Sequence, residues 1–188
     1  MLRIILVGAL SLSHPATLMP PATEPQVISD FTLWGCTYPR HWDTITYHYE
    51  YVGSTYQNAT YEGREAWNSA TGIPDFRGSG EAAPLTIKDG YWEFNNAWAW
   101  VTRPAGCLEY HIPNHVTQKT FMWNTATSRK VTNAFKAKIA MHELGHAYGL
   151  AHDNPPCNGS TIMGPNVTNC AQSITSEDVN RVRRIYTS

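Results

Sequence analysis

Apolar and polar positions change their spacing several times along this 188-residue chain. A short apolar run, Ile4 to Leu12, follows Arg3. Residues 13 to about 29 lose all periodicity and are rich in Pro, Ala and Thr, so they read as a segment without a fold of its own. Thr44 to Val52 (TITYHYEYV) roughly alternates and is rich in Thr and Tyr, which predicts a strand. Asn58 to Thr71 predicts a helix, with Asn58 as N-cap and Gly72 and Pro74 as the stop. Ala83 to Lys88, Ala97 to Arg103 and Lys119 to Asn124 predict further short strands, separated by Gly, Pro and Asn. From about Thr132 to Tyr148 runs a second helix, with Phe135, Ile139 and His142 on one stripe and Gly149 at its end. A long loop, Leu150 to Ser173, leads to a last helix. There Thr175 and Asp178 have the spacing of a capping box, and Val179, Val182, Ile185 and Tyr186 form the apolar face.

Strands clustered between helices predict an α+β domain with a small mixed sheet. The length suits one domain with a real core. We expect a leader over about residues 1–22, a linker over 23–29 and a single folded body over 30–188. The aromatic segments Tyr91-Trp92 and Trp98-Ala-Trp100 read as core packing, with cleft lining as the alternative.

Composition narrows the function more by exclusion than by suggestion. Charged residues make up 15% of the chain and the formal net charge is −1, so nothing calls for nucleic acid or an anionic surface. Arg3 followed by the short apolar run has the form of an export signal and is too short to span a bilayer. The expected product is therefore secreted, soluble and monomeric. Four cysteines, none in CxxC spacing, suit disulfides rather than a zinc ribbon. Of the three connectivities, Cys157–Cys170 with Cys36–Cys107 is favoured, because the first closes a short local loop.

The chemistry lies in His142-Glu-Leu-Gly-His-Ala-Tyr-Gly-Leu-Ala-His152, which fits HExxHxxGxxH. Residues four apart share one face of a helix, so His142 and His146 can converge on one metal. Glu143 lies about 100° further round and can reach a metal-bound water without ligating the metal. Gly149 permits the left-handed turn that ends the helix, and His152 returns from the following loop as the third ligand. Three protein ligands leave an open position, as catalytic zinc sites do.

These residues resemble the metzincin clan of zinc peptidases, and within it the matrixins. Met163 follows His152 by eleven residues, in Thr161-Ile-Met-Gly-Pro165, and is similar to the clan's Met-turn. Pro165 matches the matrixin pattern in which the segment after the methionine walls the S1′ pocket. Ile174 to Tyr186 looks like the matrixin C-terminal helix. Weaker likeness extends to Ile45-Thr-Tyr47, Ala66 to Thr71 and Phe121 to Thr125. The resemblance implies a single zincin domain with a long zinc-binding helix, a Met-turn and a C-terminal helix. It also implies a zinc endopeptidase that hydrolyses peptide or protein substrates by a zinc-activated water, with Glu143 as general base.

Some family features are not evident. No cysteine-switch segment precedes the domain, and neither a second, structural zinc nor calcium is indicated. His111 and His115 read as loop residues, since Pro113 between them opposes a helix. Asp153 is a substitute candidate for the third ligand, with a supporting hydrogen bond as its other role. Two alternatives stay open at this point: a non-catalytic zinc-binding module, and a zinc hydrolase acting on a non-peptide amide.

Overall fold

The computed structural model describes residues 36–39, 41–80, 83–102, 114–115, 118–153 and 159–187. The expected leader and linker, Cys107, Cys157 and His111 lie outside these residues. Seven strands and four helices are present among them: β1 (Cys36–Thr37), β2 (Thr44–Glu50), α1 (Ser54–Asn68), β3 (Asp75–Gly78), β4 (Leu85–Gly90), β5 (Ala99–Val101), β6 (Asn114–His115), β7 (Lys119–Asn124), α2 (Thr125–Ser128), α3 (Asn133–Tyr148) and α4 (Ser176–Thr187). The domain is α+β, as expected.

The main sheet has the order β3-β2-β4-β7-β5, and β1 with β6 forms a separate two-stranded pair. Strands β3, β2, β4 and β7 run parallel, while β5 closes one edge antiparallel to β7. Burial explains the pattern. In β2, Ile45 and Tyr47 turn to the core, and in β7 Lys119, Phe121 and Trp123 do. The alternation readable in the sequence is therefore the inward face of each strand. No helix among the described residues is long and apolar enough to cross a membrane.

Several boundaries differ from the sequence expectation, and β3 was not expected at all. Helix α1 starts at Ser54 with Gly53 as N-cap, so Asn58 sits within the helix and caps nothing. The additional turn forms because Tyr56 is buried against Trp123, with ring centroids 5.2 Å apart, and Gln57 Nε2 donates to Val52 O at 2.7 Å. The helix ends at Asn68, whose side chain both accepts from and donates to the Phe76 backbone, each at 2.8 Å. Strand β3 carries one buried apolar residue, Phe76, in a polar tetrapeptide, so no periodicity announces it. Strand β5 is shorter than expected, and it is one of the two edges of the main sheet, with β3 as the other.

Helices α1 and α3 pack closely. A Cβ at Gly63 would lie 2.7 Å from Ala140 Cβ and 2.9 Å from the Met141 backbone nitrogen. Only hydrogen fits there. Gly63→Ala is expected to force the helices apart and to cost about 1–3 kcal/mol of stability, read as a lower urea midpoint. An unchanged midpoint would mean that the contact is looser than these distances imply.

Candidate metal centre and cleft

Helix α3 carries the first two histidines. Thr132 caps it, its Oγ1 accepting from Phe135 N at 3.2 Å, so the helix begins within a residue of the expected place. Gly149 ends it at φ 113°, in the left-handed region, with its N–H reaching both Gly145 O and His146 O. This turn brings His152 back over the helix. The three Nε2 atoms then lie 3.1 to 3.2 Å apart: His142–His146 at 3.1, His146–His152 at 3.1 and His142–His152 at 3.2 Å.

Nitrogens this close need a reason. His142 Nδ1 lies 2.8 Å from Ile162 O and His146 Nδ1 lies 2.7 Å from Leu150 O. A carbonyl only accepts, so both Nδ1 atoms carry the proton and both Nε2 atoms present lone pairs. Burial pushes His142 down to about 4 and His146 well below the usual imidazole value, which keeps both neutral. Three lone pairs directed at one point repel unless a cation sits there. Zn–N bonds of about 2.0–2.1 Å at tetrahedral angles separate ligand nitrogens by roughly 3.3 Å, so the triad fits such an ion. These three residues form the one His, Cys, Asp and Glu cluster among the described residues that can hold a metal.

Glu143 is buried beside the triad. The Val101 N–H donates to its carboxylate, while Oε2 is buried without a hydrogen-bond partner. Burial raises its pKa to about 8, against the lowering effect of the Val101 bond. A buried polar atom left unsatisfied is costly, and its place here is the cleft above the histidines. That cleft, about 460 Å³, is lined by Trp98, Trp100, Ile139, Pro165 and Val167 together with Glu143 and the triad. Trp98 and Trp100 are half-buried cleft walls, and Trp98 also packs against the core and meets Phe135 edge-on at 5.0 Å, so it takes both of the expected roles. Trp100 meets Trp92 edge-on at 4.9 Å, and Tyr91 is exposed at the surface.

The Met-turn segment joins the site to α4. Met163 is fully buried, and a Cβ at Gly145 would come within 2.3 Å of its sulfur. The methionine thus occupies the space that a side chain between His142 and His146 would need. Ile162, whose carbonyl takes His142, donates its N–H to both carboxylate oxygens of buried Asp178 at 3.2 Å. Asp178 in turn accepts from Thr175 N at 2.9 Å, and Thr175 Oγ1 accepts from Asp178 N at 3.3 Å, which is the expected capping box. Asp153, the substitute candidate, is engaged elsewhere: its carboxylate pairs with Arg181 and accepts from the Thr161 hydroxyl.

Two contributors carry no motif signal. Lys119 Nζ is buried and donates to two carbonyls of the last turn of α3, His146 O at 3.2 Å and Ala147 O at 2.7 Å. Burial lowers its pKa to about 7. Asn124 Nδ2 donates to the carbonyls of Trp92, Asn95 and Ala97 at 3.1, 2.7 and 3.0 Å, which shapes the loop leading into β5. Only a fixed polar residue at the end of a strand hints at either role.

The family model described as Matrixin matches residues 55–187. The chain belongs to the matrixin family. The match begins one residue into α1, so β2 and its likeness to the family's first strand lie outside it. No curated protein matches the chain. A matrixin is a metallopeptidase, and the family implies zinc and a peptide or protein substrate. In this matrixin Cys170 is disulfide-bonded, and the side chains of the other three cysteines lie outside the described residues, so both pairings remain expectations.

Proposed function

We propose that this matrixin is a zinc endopeptidase in which His142, His146 and His152 hold the metal and Glu143 handles the proton. The observation that carries the reading is the convergence of three Nε2 lone pairs beside a buried, unpartnered carboxylate oxygen. When bound, zinc supplies a Lewis acid that acidifies water and polarises a carbonyl. Glu143 Oε2 is then the acceptor for the water proton and the donor to the leaving amine. The Val101 N–H holds the carboxylate and leaves Oε2 without a hydrogen-bond partner.

Strand β5 offers the substrate a place to lie. Thr102 N donates to Thr120 O at 2.7 Å and Trp98 O accepts from Asn124 N at 2.9 Å, so the even-numbered residues bond to β7. By antiparallel alternation the backbone groups of Ala99 and the Val101 carbonyl face the open edge, while the Val101 N–H is taken by Glu143. An extended peptide pairs with them by strand addition and passes its scissile bond over the triad. Pro165 and Val167 wall the pocket for the residue after that bond, beside Ile139.

Export belongs to the same reading. Its support is Arg3 with the Ile4–Leu12 run and an even cysteine count that includes a disulfide-bonded Cys170. The test is cleavage of a mixed fluorogenic peptide library by the purified chain, with and without 1,10-phenanthroline, alongside a zinc assay. Cleavage that stops with the chelator and returns with zinc is expected. One equivalent of zinc with no peptide cleaved would favour a non-peptide amide substrate or a binding module.

A further inference from the structure

His152 is held differently from its two partners. His142 and His146 ride on α3, whose period sets their spacing. His152 lies on the loop after Gly149 and is exposed. Its neighbour Asp153 anchors that loop. The Asp153 N–H donates to Met163 O at 2.8 Å. One carboxylate oxygen accepts from the Thr161 hydroxyl and the other from Arg181 Nη1 on α4. Both side chains of the ion pair are only 12% exposed, and Arg181 Nε also reaches Glu177 at 3.0 Å.

We propose that Arg181 is a positioning residue for the metal centre: through Asp153 it holds His152 in register with His142 and His146. This rests on the reading of the triad as a zinc site. Exposed ion pairs contribute little, but this pair is largely out of water. Removing the guanidinium leaves a nearly buried carboxylate with the Thr161 hydroxyl in its place, and such a charge moves toward solvent. Asp153 is bonded directly to His152, so the movement takes the imidazole with it. Helix α4 thereby reaches two ligands by separate routes, His142 through Asp178 and Ile162, and His152 through Arg181 and Asp153. Groups that orient metal ligands in this way typically change metal affinity by about 10–100-fold.

The test uses the 188-residue chain as wild type, Arg181→Met, Arg181→Lys, Asp153→Asn and the exposed control Arg184→Met. Each is loaded with zinc or cobalt, and its fold is checked by circular dichroism. Arg181→Met is expected to pass zinc to a chelator about 10–100-fold faster than wild type. Its cobalt form is expected to show an altered visible spectrum, because a displaced imidazole changes the ligand field. Arg181→Lys should recover part of both effects, and Arg184→Met should show neither. A folded Arg181→Met with the wild-type spectrum and transfer rate overturns the proposal. If Arg181→Met does not fold, wild-type transfer rates in both Arg181→Lys and Asp153→Asn overturn it instead. A wild-type chain that takes up no zinc would sink the zinc reading, a result separable from the failure of Arg181.

Discussion

Glu143→Ala is expected to lower kcat/KM on any cleaved peptide by about 10²–10⁴-fold while zinc stays bound at one equivalent. Loss and retention have separate causes. The carboxylate takes no part in the histidine cluster, and each helical histidine is oriented by its own carbonyl, Ile162 for one and Leu150 for the other. Removing Glu143 leaves those bonds intact, so the metal should remain. What disappears is a buried carboxylate oxygen without a hydrogen-bond partner, on a residue that lines the cleft. Glu143→Gln sharpens the test, because it keeps shape and the Val101 contact but not the basic oxygen. Measured side by side, both variants should be slow and both should hold zinc. Normal turnover in Glu143→Ala would remove the proton role from this residue. Zinc loss in Glu143→Gln would instead make it part of the metal's support.

The parts of the fold legible in the sequence are those where a local signal and the tertiary outcome coincide. Helix α3 was legible because Thr132 caps it, Gly149 stops it and the core face repeats with helical period. Helix α4 was legible for similar reasons, with Thr175 and Asp178 starting it and Val179, Val182, Ile185 and Tyr186 buried as the pattern requires. The histidine constellation needed only the helix period and one left-handed glycine. The start of α1 was hidden because Asn58 is a better local cap than Gly53, and only the burial of Tyr56 under Trp123 decides against it. The edge strand beside the cleft was hidden for a different reason. Sequence spacing gives strands but not their neighbours, so Ala97–Arg103 and Lys119–Asn124 were equivalent until β5 paired antiparallel with β7. The roles of Trp98 and Trp100 followed from that placement. Lys119 and Arg181 were illegible as individuals, because a lysine in a strand and an arginine on a polar helix normally meet water. Their value here comes from carbonyls and a carboxylate supplied by distant segments.

Trp67→Ala is expected to be the most destabilising of the single changes considered, at about 3–5 kcal/mol. Trp67 is fully buried and ties α1 to the metal-bearing helix at three points. Its Nε1 donates to Met141 O at 2.8 Å, its ring meets Tyr148 edge-on at 5.1 Å, and its Cζ2 would lie 3.4 Å from a Cβ at Gly145. Truncation opens a cavity directly behind the residues that precede and separate His142 and His146. A loss of this size is a large share of a typical domain stability of about 5–15 kcal/mol. For a chain of this length it corresponds to a fall in Tm of roughly 6–20 °C. Trp67→Phe separates the two contributions, since it keeps most of the volume and loses only the indole hydrogen bond. Thermal melts of the zinc-loaded and chelated forms then locate the damage. If the cavity loosens α3 where the histidines leave it, the variant should lose more of the stabilisation that zinc confers than the wild type does. Equal zinc stabilisation in both would place the whole loss in the α1–α3 core and leave the metal site undisturbed.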